Sequence, residues 1–435
     1  MSYREEVTAL LQELLRANTV NPPGNEVRAV RVLQEYFARN GIDVELYARE
    51  PDRPNVVARL RGGDGPSLML LSHTDTVLAD PAEWERDPWS GDLVDGEVWG
   101  RGALDMKDQV AVSAVTFASL VREGLTPAGE LLFVSVADEE VGGVGGHDGC
   151  GLRWLVQAHP NAVRCDYAIN EGGGQRLVIG DTPLYLCATA EKMSAPFLLR
   201  VHGRSGHASM PGIADNALVK AAGYVSALGA WEPPRALIPE AKGFLAAVLG
   251  EAPPLEEALG RAHEVHPSFA ALLEPLLSLT VSPTMIDASH QRNVVPALCE
   301  VTVDCRLLPE QEPAEVEPLI RGVLGNGTYD LEWQEAVGGT RSALDTPLWD
   351  ALAEFTATIE PGARLAPMAC PGFTDSHYLR EAFGTVAYGF LPMKAMDTEV
   401  AEKLVHSANE RVAVDDLELG VAMMRSVAGS LLGPG

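Results

Sequence analysis

The chain has 435 residues, 46% of them hydrophobic, and carries 33 basic against 61 acidic side chains, a formal charge of −28. That length allows two domains, and the acidic balance argues against nucleic acid and anionic membranes as partners, because its field repels both. The six cysteines, at 150, 165, 187, 299, 305 and 370, form no CxxC pair and read as reduced core residues. The N-terminal stretch MSYREEVTALLQELL predicts an amphipathic helix with Val7, Leu10, Leu11, Leu14 and Leu15 on one face. It lacks the basic start and apolar run of a signal peptide, so the expected location is the cytoplasm.

NPPG at 21–24 breaks the chain, a second helix follows to about Asn40, and IDVELYA and NVVARL read as strands. Leu68, Met69, Leu70 and Leu71 form the apolar interior of a third strand, and MKDQVAVSAVTFASLVREG predicts a helix packed on the strand ELLFVSVA. This alternation implies an α/β sheet covered on both faces. Near Glu191 the texture changes. SAPFLLRVHG, NALVKAAGYVSALGAW, LTVSPTMIDAS, CEVTVDCRL, a helix and YDLEWQEAV give a βαββαβ order, the split βαβ arrangement of a small α+β domain. Residues 231–277 read as a helical insertion within it, and the first texture returns from about Thr346. The expected organisation is a discontinuous domain, 1–189 and 339–435, interrupted by a second at 190–338.

The strand ends carry the chemistry. The strand at 68–72 ends in His73 and Asp75, LLFVSVA in Asp138, Glu139 and Glu140, YAIN in Glu171, and Asp105 precedes the long helix. Ligands of open α/β sheets bind beyond the carboxyl ends of the strands, where these groups would converge. So many carboxylates repel one another unless a cation sits among them, and imidazole with carboxylate suits zinc. His406, in the polar loop KLVHSANE, is one further imidazole candidate. His377 starts a helix and reads as structural, whereas His207 lies in an exposed turn able to reach over a site. VGGVGGHDG fits neither phosphate-loop spacing and reads as a flexible turn. HGRSGH is not a nucleophile elbow, and no cysteine has a nucleophile's context, so covalent catalysis is unsupported.

Taken together, SHTDTV, GRGALDMKD, DEEVGG, NEGGG, GHASMP, NVVP followed by DCR, and HSANE stand in the order found in the dizinc metallopeptidases. The resemblance is to the family of aminoacylases, glutamate carboxypeptidases and succinyl-diaminopimelate desuccinylases, and it covers nearly the whole chain. It implies a zinc-dependent catalytic α/β domain interrupted by a ferredoxin-like lid that usually forms the homodimer. It further implies two Zn2+ per chain, with Co2+ or Mn2+ as possible substitutes. Asp105 would bridge them, His73 and Glu171 completing one site and Glu140 and His406 the other. Asp75 would orient His73, Glu139 would be the general base, and His207, usually from the partner's lid, would stabilise the oxyanion. The peptide bond after Asp105 is expected to be cis. Asn293 and Arg306, with Lys192 as a further candidate, match positions that hold the substrate carboxylate. Glu171, rather than Asp or His, favours N-acyl amino acids or C-terminal peptide bonds as substrates. NEGGG and the helical insertion look most like the Gly-X carboxypeptidase and N-acyl-amino-acid hydrolase branch. Desuccinylase-like or N-acetyl-ornithine deacetylase-like chemistry, and an inactive peptide- or metal-binding dimer, are the alternatives. Phe373 and His377 stand where relatives often have smaller residues, which points to a different acyl pocket.

Overall fold

The computed structural model describes residues 2–141 and 149–433. Its larger sheet has nine strands, ordered Glu45–Tyr47, Asn55–Arg61, Glu130–Val136, Ser67–His73, Tyr167–Asn170, Val386–Gly389, Thr182–Glu191 and Arg364–Cys370, with Arg176–Ile179 paired to Thr182–Glu191. The middle strands, from Glu130–Val136 to Val386–Gly389, run parallel. Their side chains alternate between two buried faces, which is why the sequence shows unbroken apolar runs. Leu68, Leu70, Leu131 and Phe133 pack with Val110, Phe117, Leu417 and Met424 of the helices Lys107–Arg122 and Val414–Leu432. Met69, Leu71, Leu132 and Val134 face Leu152, Leu155 and Leu379 on the other side.

The first helix, Tyr3–Arg16, buries the expected face of Val7, Leu10, Leu11, Leu14 and Leu15. The Ser2 hydroxyl accepts from the Glu5 N–H while the Glu5 carboxylate accepts from the Ser2 N–H, a reciprocal cap that satisfies two otherwise orphaned donors.

A second, six-stranded sheet is antiparallel and contains Phe197–His202, Thr280–Asp287, Leu298–Leu307 and Tyr329–Trp333. With the helices Ala217–Gly229 and Pro313–Leu324 these strands give the chain order βαββαβ. Phe197, Leu199 and Val201 point into the core shared with Val301, Val303 and Ile320, while Arg200 and His202 point outward.

The helices of the 231–277 stretch, Pro239–Leu249, Leu255–Val265 and Pro267–Leu273, do not pack on this second sheet. Ala241, Phe244, Leu245, Phe269 and Leu273 pack against Leu184, Leu186, Ala366 and Ala369 of the larger sheet. The second sheet already has its two covering helices, whereas one face of Thr182–Glu191 and Arg364–Cys370 would otherwise expose its apolar side chains to water. Among the described residues, no helix is long and apolar enough to cross a membrane.

Candidate metal centre

Three neighbouring strands deliver the centre. His73 closes the middle one, Glu139 and Glu140 follow Glu130–Val136 on one side, and Glu171 follows Tyr167–Asn170 on the other. Asp105 enters from the loop before Lys107–Arg122, and His406 from the turn after Thr398–Leu404. His73 Nε2 lies 3.2 Å from Asp105 Oδ1 and 3.6 Å from Glu171 Oε2. His406 Nε2 lies 2.9 Å from Asp105 Oδ2 and 3.3 Å from Glu140 Oε2. Asp105 thus offers one carboxylate oxygen to each imidazole. The Asp105–Met106 peptide bond is cis, as the resemblance implies. Gly174 in NEGGG adopts φ +111°, and a Cβ there would stand 1.7 Å from the Leu391 carbonyl oxygen, so only glycine fits this turn after Glu171.

Behind these groups lies a hydrogen-bonded frame. His73 Nδ1 donates to the Asp75 backbone carbonyl at 3.0 Å, with the Asp75 carboxylate farther away at 3.5 Å. That carboxylate instead accepts the N–H groups of Glu139 and Glu140, each at 3.1 Å, and the Asn21 amide at 2.9 Å. Asp75 therefore orients the imidazole through its main chain and holds the acidic turn through its side chain. Asn21 also donates to Asp138, which pairs with Arg53 at 2.9 Å, and Arg53 pairs in turn with buried Glu26. Glu410 accepts the N–H groups of Gly102, Leu104 and Asp105 and pairs with Arg101 at 2.6 Å, fixing the loop that carries Asp105.

The electrostatics are those of crowded acids. Burial, reinforced by the charge of Glu171, pushes Glu139 well above the usual carboxylate range. Burial and Asp105 bring Glu140 up to about 7 despite the hydrogen bond from His406. Glu171 is raised, again chiefly by burial. Burial would raise Asp105 too, but its contacts with His406 and His73 hold it low. Hydrogen bonds to Asp105 and Glu140 raise His406 to about 10, and the surrounding carboxylates overcome burial to raise His73. A cation among these oxygens would relieve the repulsion. The donor set suits one: atoms of His73, Asp105 and Glu140, and likewise of His73, Glu139 and Glu171, lie within 4.8 Å of one another.

Asp105, Glu139, Glu140, Glu171, His406 and Lys192 line one cavity of about 600 Å³, with His73 buried beneath. Lys192 is 3% exposed and donates to the Ser278 carbonyl at 2.9 Å; burial lowers its pKa to about 8. Three expected site residues are not brought there within the chain. Arg306 lies outside the lining, its guanidinium held by Asp304 through two bonds of 3.0 and 3.1 Å. Asn293 and His207 are exposed, on and beside the small Gly206–His207 and Val294–Val295 pairing, and neither lines the cavity. His377 is buried and donates to the Thr374 carbonyl at 2.6 Å, a structural role. His147 and most of VGGVGGHDG, at 142–148, lie outside the described residues. The roles of Asn21, Glu26, Arg53 and Glu410 are not legible in the sequence. Asn21 and Glu410 stand inside NPPG and HSANE, and their polarity in a chain break and a loop gives no sign of burial.

A sequence profile described as Peptidase family M20/M25/M40 matches residues 69–430. The chain is 30% identical over 434 residues to a succinyl-diaminopimelate desuccinylase of Methylobacterium sp. (strain 4-46), covering 96% of this chain and 94% of the relative. In three dimensions it resembles an M20 family metallo-carboxypeptidase from Sulfolobus solfataricus, at TM-score 0.71 and 18% identity, over 98% of this chain and 99% of that one. It also resembles a dinuclear metal-binding peptidase of the M20 family from Bacillus subtilis, at TM-score 0.61 and 14% identity, over 98% and 97%. With the profile spanning most of its length, the chain belongs to Peptidase family M20/M25/M40.

Proposed function

We propose that the chain is a dizinc amidohydrolase that releases an amino acid from an N-acyl amino acid or a C-terminal peptide bond. The observation that carries this reading is Asp105, placed with one oxygen toward His73 and the other toward His406. His73 and Glu171 would share it around one ion, Glu140 and His406 around the other. When bound, such a pair supplies Lewis acidity and makes water a nucleophile near neutral pH, and Co2+ or Mn2+ could serve in place of zinc. Glu139, its N–H anchored on Asp75, takes a proton from the attacking water and passes it to the departing nitrogen. Lys192, among the described residues the one lysine or arginine lining the cavity, holds the substrate carboxylate.

His207 would act on the oxyanion of the partner's substrate in a homodimer. Among the described residues Thr280–Asp287 pairs only with Leu298–Leu307, leaving an open sheet edge with Met285 68% and Ile286 52% exposed. Nearby apolar groups on Ala217–Gly229, including Val219, would join that interface. A desuccinylase reading is favoured by the curated relative. A succinyl-diaminopimelate carries three carboxylates, however, and a cavity with one lysine and a mostly apolar wall is a poor match for them.

The test is release of free amino acid, by mass spectrometry, from N-acyl amino acids, dipeptides and succinyl-diaminopimelate with added zinc. The expected result is turnover of the first two classes, lost in Glu139→Ala while metal content persists. Fastest turnover of the succinylated substrate would move the assignment to the desuccinylases. No turnover with two metals bound would favour a binding role.

A further inference from the structure

Away from the carboxylates, the cavity wall is apolar. Leu272 and Leu276 come from the Pro267–Leu273 helix and the turn after it, Leu186 and Met368 from the strands this helix covers, and Phe373 and Met393 from neighbouring loops. The Pro267–Leu273 helix and the turn after it thus build the far wall of the chamber that begins at Asp105 and Glu139. Its volume of about 600 Å³ lies within the roughly 300–1,000 Å³ of sites for drug-sized ligands, more than an acetylated amino acid needs.

We infer that this apolar half receives a medium-length acyl chain, so that the substrate is an N-(medium-chain acyl) amino acid. The inference rests on the amidohydrolase reading above. The amino acid half brings a carboxylate, and Lys192 is the lysine the lining offers it. An acyl chain has no polar group to satisfy and loses nothing against leucine and methionine. Met368 and Met393, unbranched and adaptable, allow chains of several lengths to fill the space. An acetyl group would leave this wall in contact with water, and a succinyl group would bury a second carboxylate against it.

The experiment is a series of N-acyl glycines from acetyl to dodecanoyl, run beside N-acetyl amino acids of increasing side-chain size. Full burial gains at most about fourfold per methylene, from about 0.8 kcal/mol each. The expected result is a rise in kcat/KM of at least about tenfold from acetyl to octanoyl, falling off once the chain outgrows the chamber. Leu272→Trp narrows the wall and lowers the octanoyl-to-acetyl ratio by about tenfold. Inhibition of the wild-type enzyme by free carboxylic acids, tightening from butanoate to octanoate, reads the same chamber without any variant. A flat or falling acyl series on an enzyme that hydrolyses N-acetylglycine overturns the inference and leaves the amidohydrolase reading standing. A gain with the amino acid side chain in place of the acyl chain also overturns it. Failure on every N-acyl substrate removes the inference alone if dipeptides are still hydrolysed, and removes both if they are not.

Discussion

His406 places Nε2 2.9 Å from Asp105 Oδ2, the oxygen opposite the one that His73 approaches. A shared carboxylate makes the two halves of the centre unequal under mutation. Asp105→Asn withdraws a charge from both halves and is expected to leave the protein with almost no metal after dialysis, whereas His406→Ala should retain about one of two ions. Elemental mass spectrometry of the two purified variants checks this. Equal loss in both would mean that Asp105 does not bridge.

Glu410 has no exposed surface and accepts three main-chain N–H groups besides pairing with Arg101. Glu410→Ala leaves the Arg101 guanidinium, itself 3% exposed, without its carboxylate. The expected cost is about 3–5 kcal/mol in urea unfolding, with weaker metal retention because the Asp105 loop loses its anchor. Glu410→Gln keeps the shape and part of the acceptor capacity and should lose less. A change below about 1 kcal/mol for the alanine variant would be incompatible with a carboxylate that organises the loop.

The residues legible in the sequence were those at the ends of strands. Leu68 to Leu71 announce a buried strand by being apolar on both faces, so a His and an Asp directly after them fall at the sheet's carboxyl edge. Glu139 and Glu171 are legible for the same reason. Asn21 and Arg53 were not: each is a polar residue in a loop, and only the tertiary fold brings Asn21 within 2.9 Å of both Asp75 and Asp138. Periodicity located the helices of 231–277 but not their destination, because an amphipathic helix reveals that it has an apolar face and not which sheet receives it. Arg306 followed its place in the DCR motif, while the chain supplies Asp304 two residues earlier as its partner.

That pairing separates Lys192 from Arg306. Lys192→Met should raise KM by about ten- to hundredfold for substrates with a free carboxylate, the loss of one charge-assisted hydrogen bond, and erase the preference over the corresponding amides. Arg306→Met should change KM less, since its guanidinium is already engaged by Asp304. Steady-state kinetics on matched acid and amide substrates decides between them, and the reverse ranking would assign the carboxylate to Arg306.

Glu360 gives a pH dependence remote from the centre. Arg176, helped by the Tyr185 hydroxyl at 2.9 Å, holds its carboxyl down at about 2. A folded value below the unfolded one contributes stability above the unfolded pKa, and that contribution is lost as pH falls toward the folded value. The pair is partly exposed, so the contribution is about 1–2 kcal/mol and no more. Glu360→Gln should therefore be less stable than wild type at pH 7 by this amount, the gap narrowing as pH falls from about 5 toward 3. Urea unfolding at several pH values measures it, and a gap that stays constant would rule out the ionised pair as its source.

His207 is exposed, and its Nδ1 accepts from the Ser209 hydroxyl at 2.7 Å, which leaves Nε2 to face outward. If that nitrogen serves the other subunit, His207→Ala and Glu139→Ala damage different sites of one dimer. Each variant alone should be inactive. Mixed by unfolding and refolding together, half of the dimers would be heterodimers, and each of those would own one site with an intact Glu139 facing an intact His207. Activity should return to about a quarter of wild type. No recovery, with heterodimers demonstrated by native mass spectrometry, would place His207 in its own chain's site after movement of the second sheet, and full activity of His207→Ala alone would place it outside catalysis. A monomeric protein at working concentration would remove the dimer reading outright, and Val219→Glu with Met285→Glu at the exposed apolar patch should produce that monomer while leaving the fold intact.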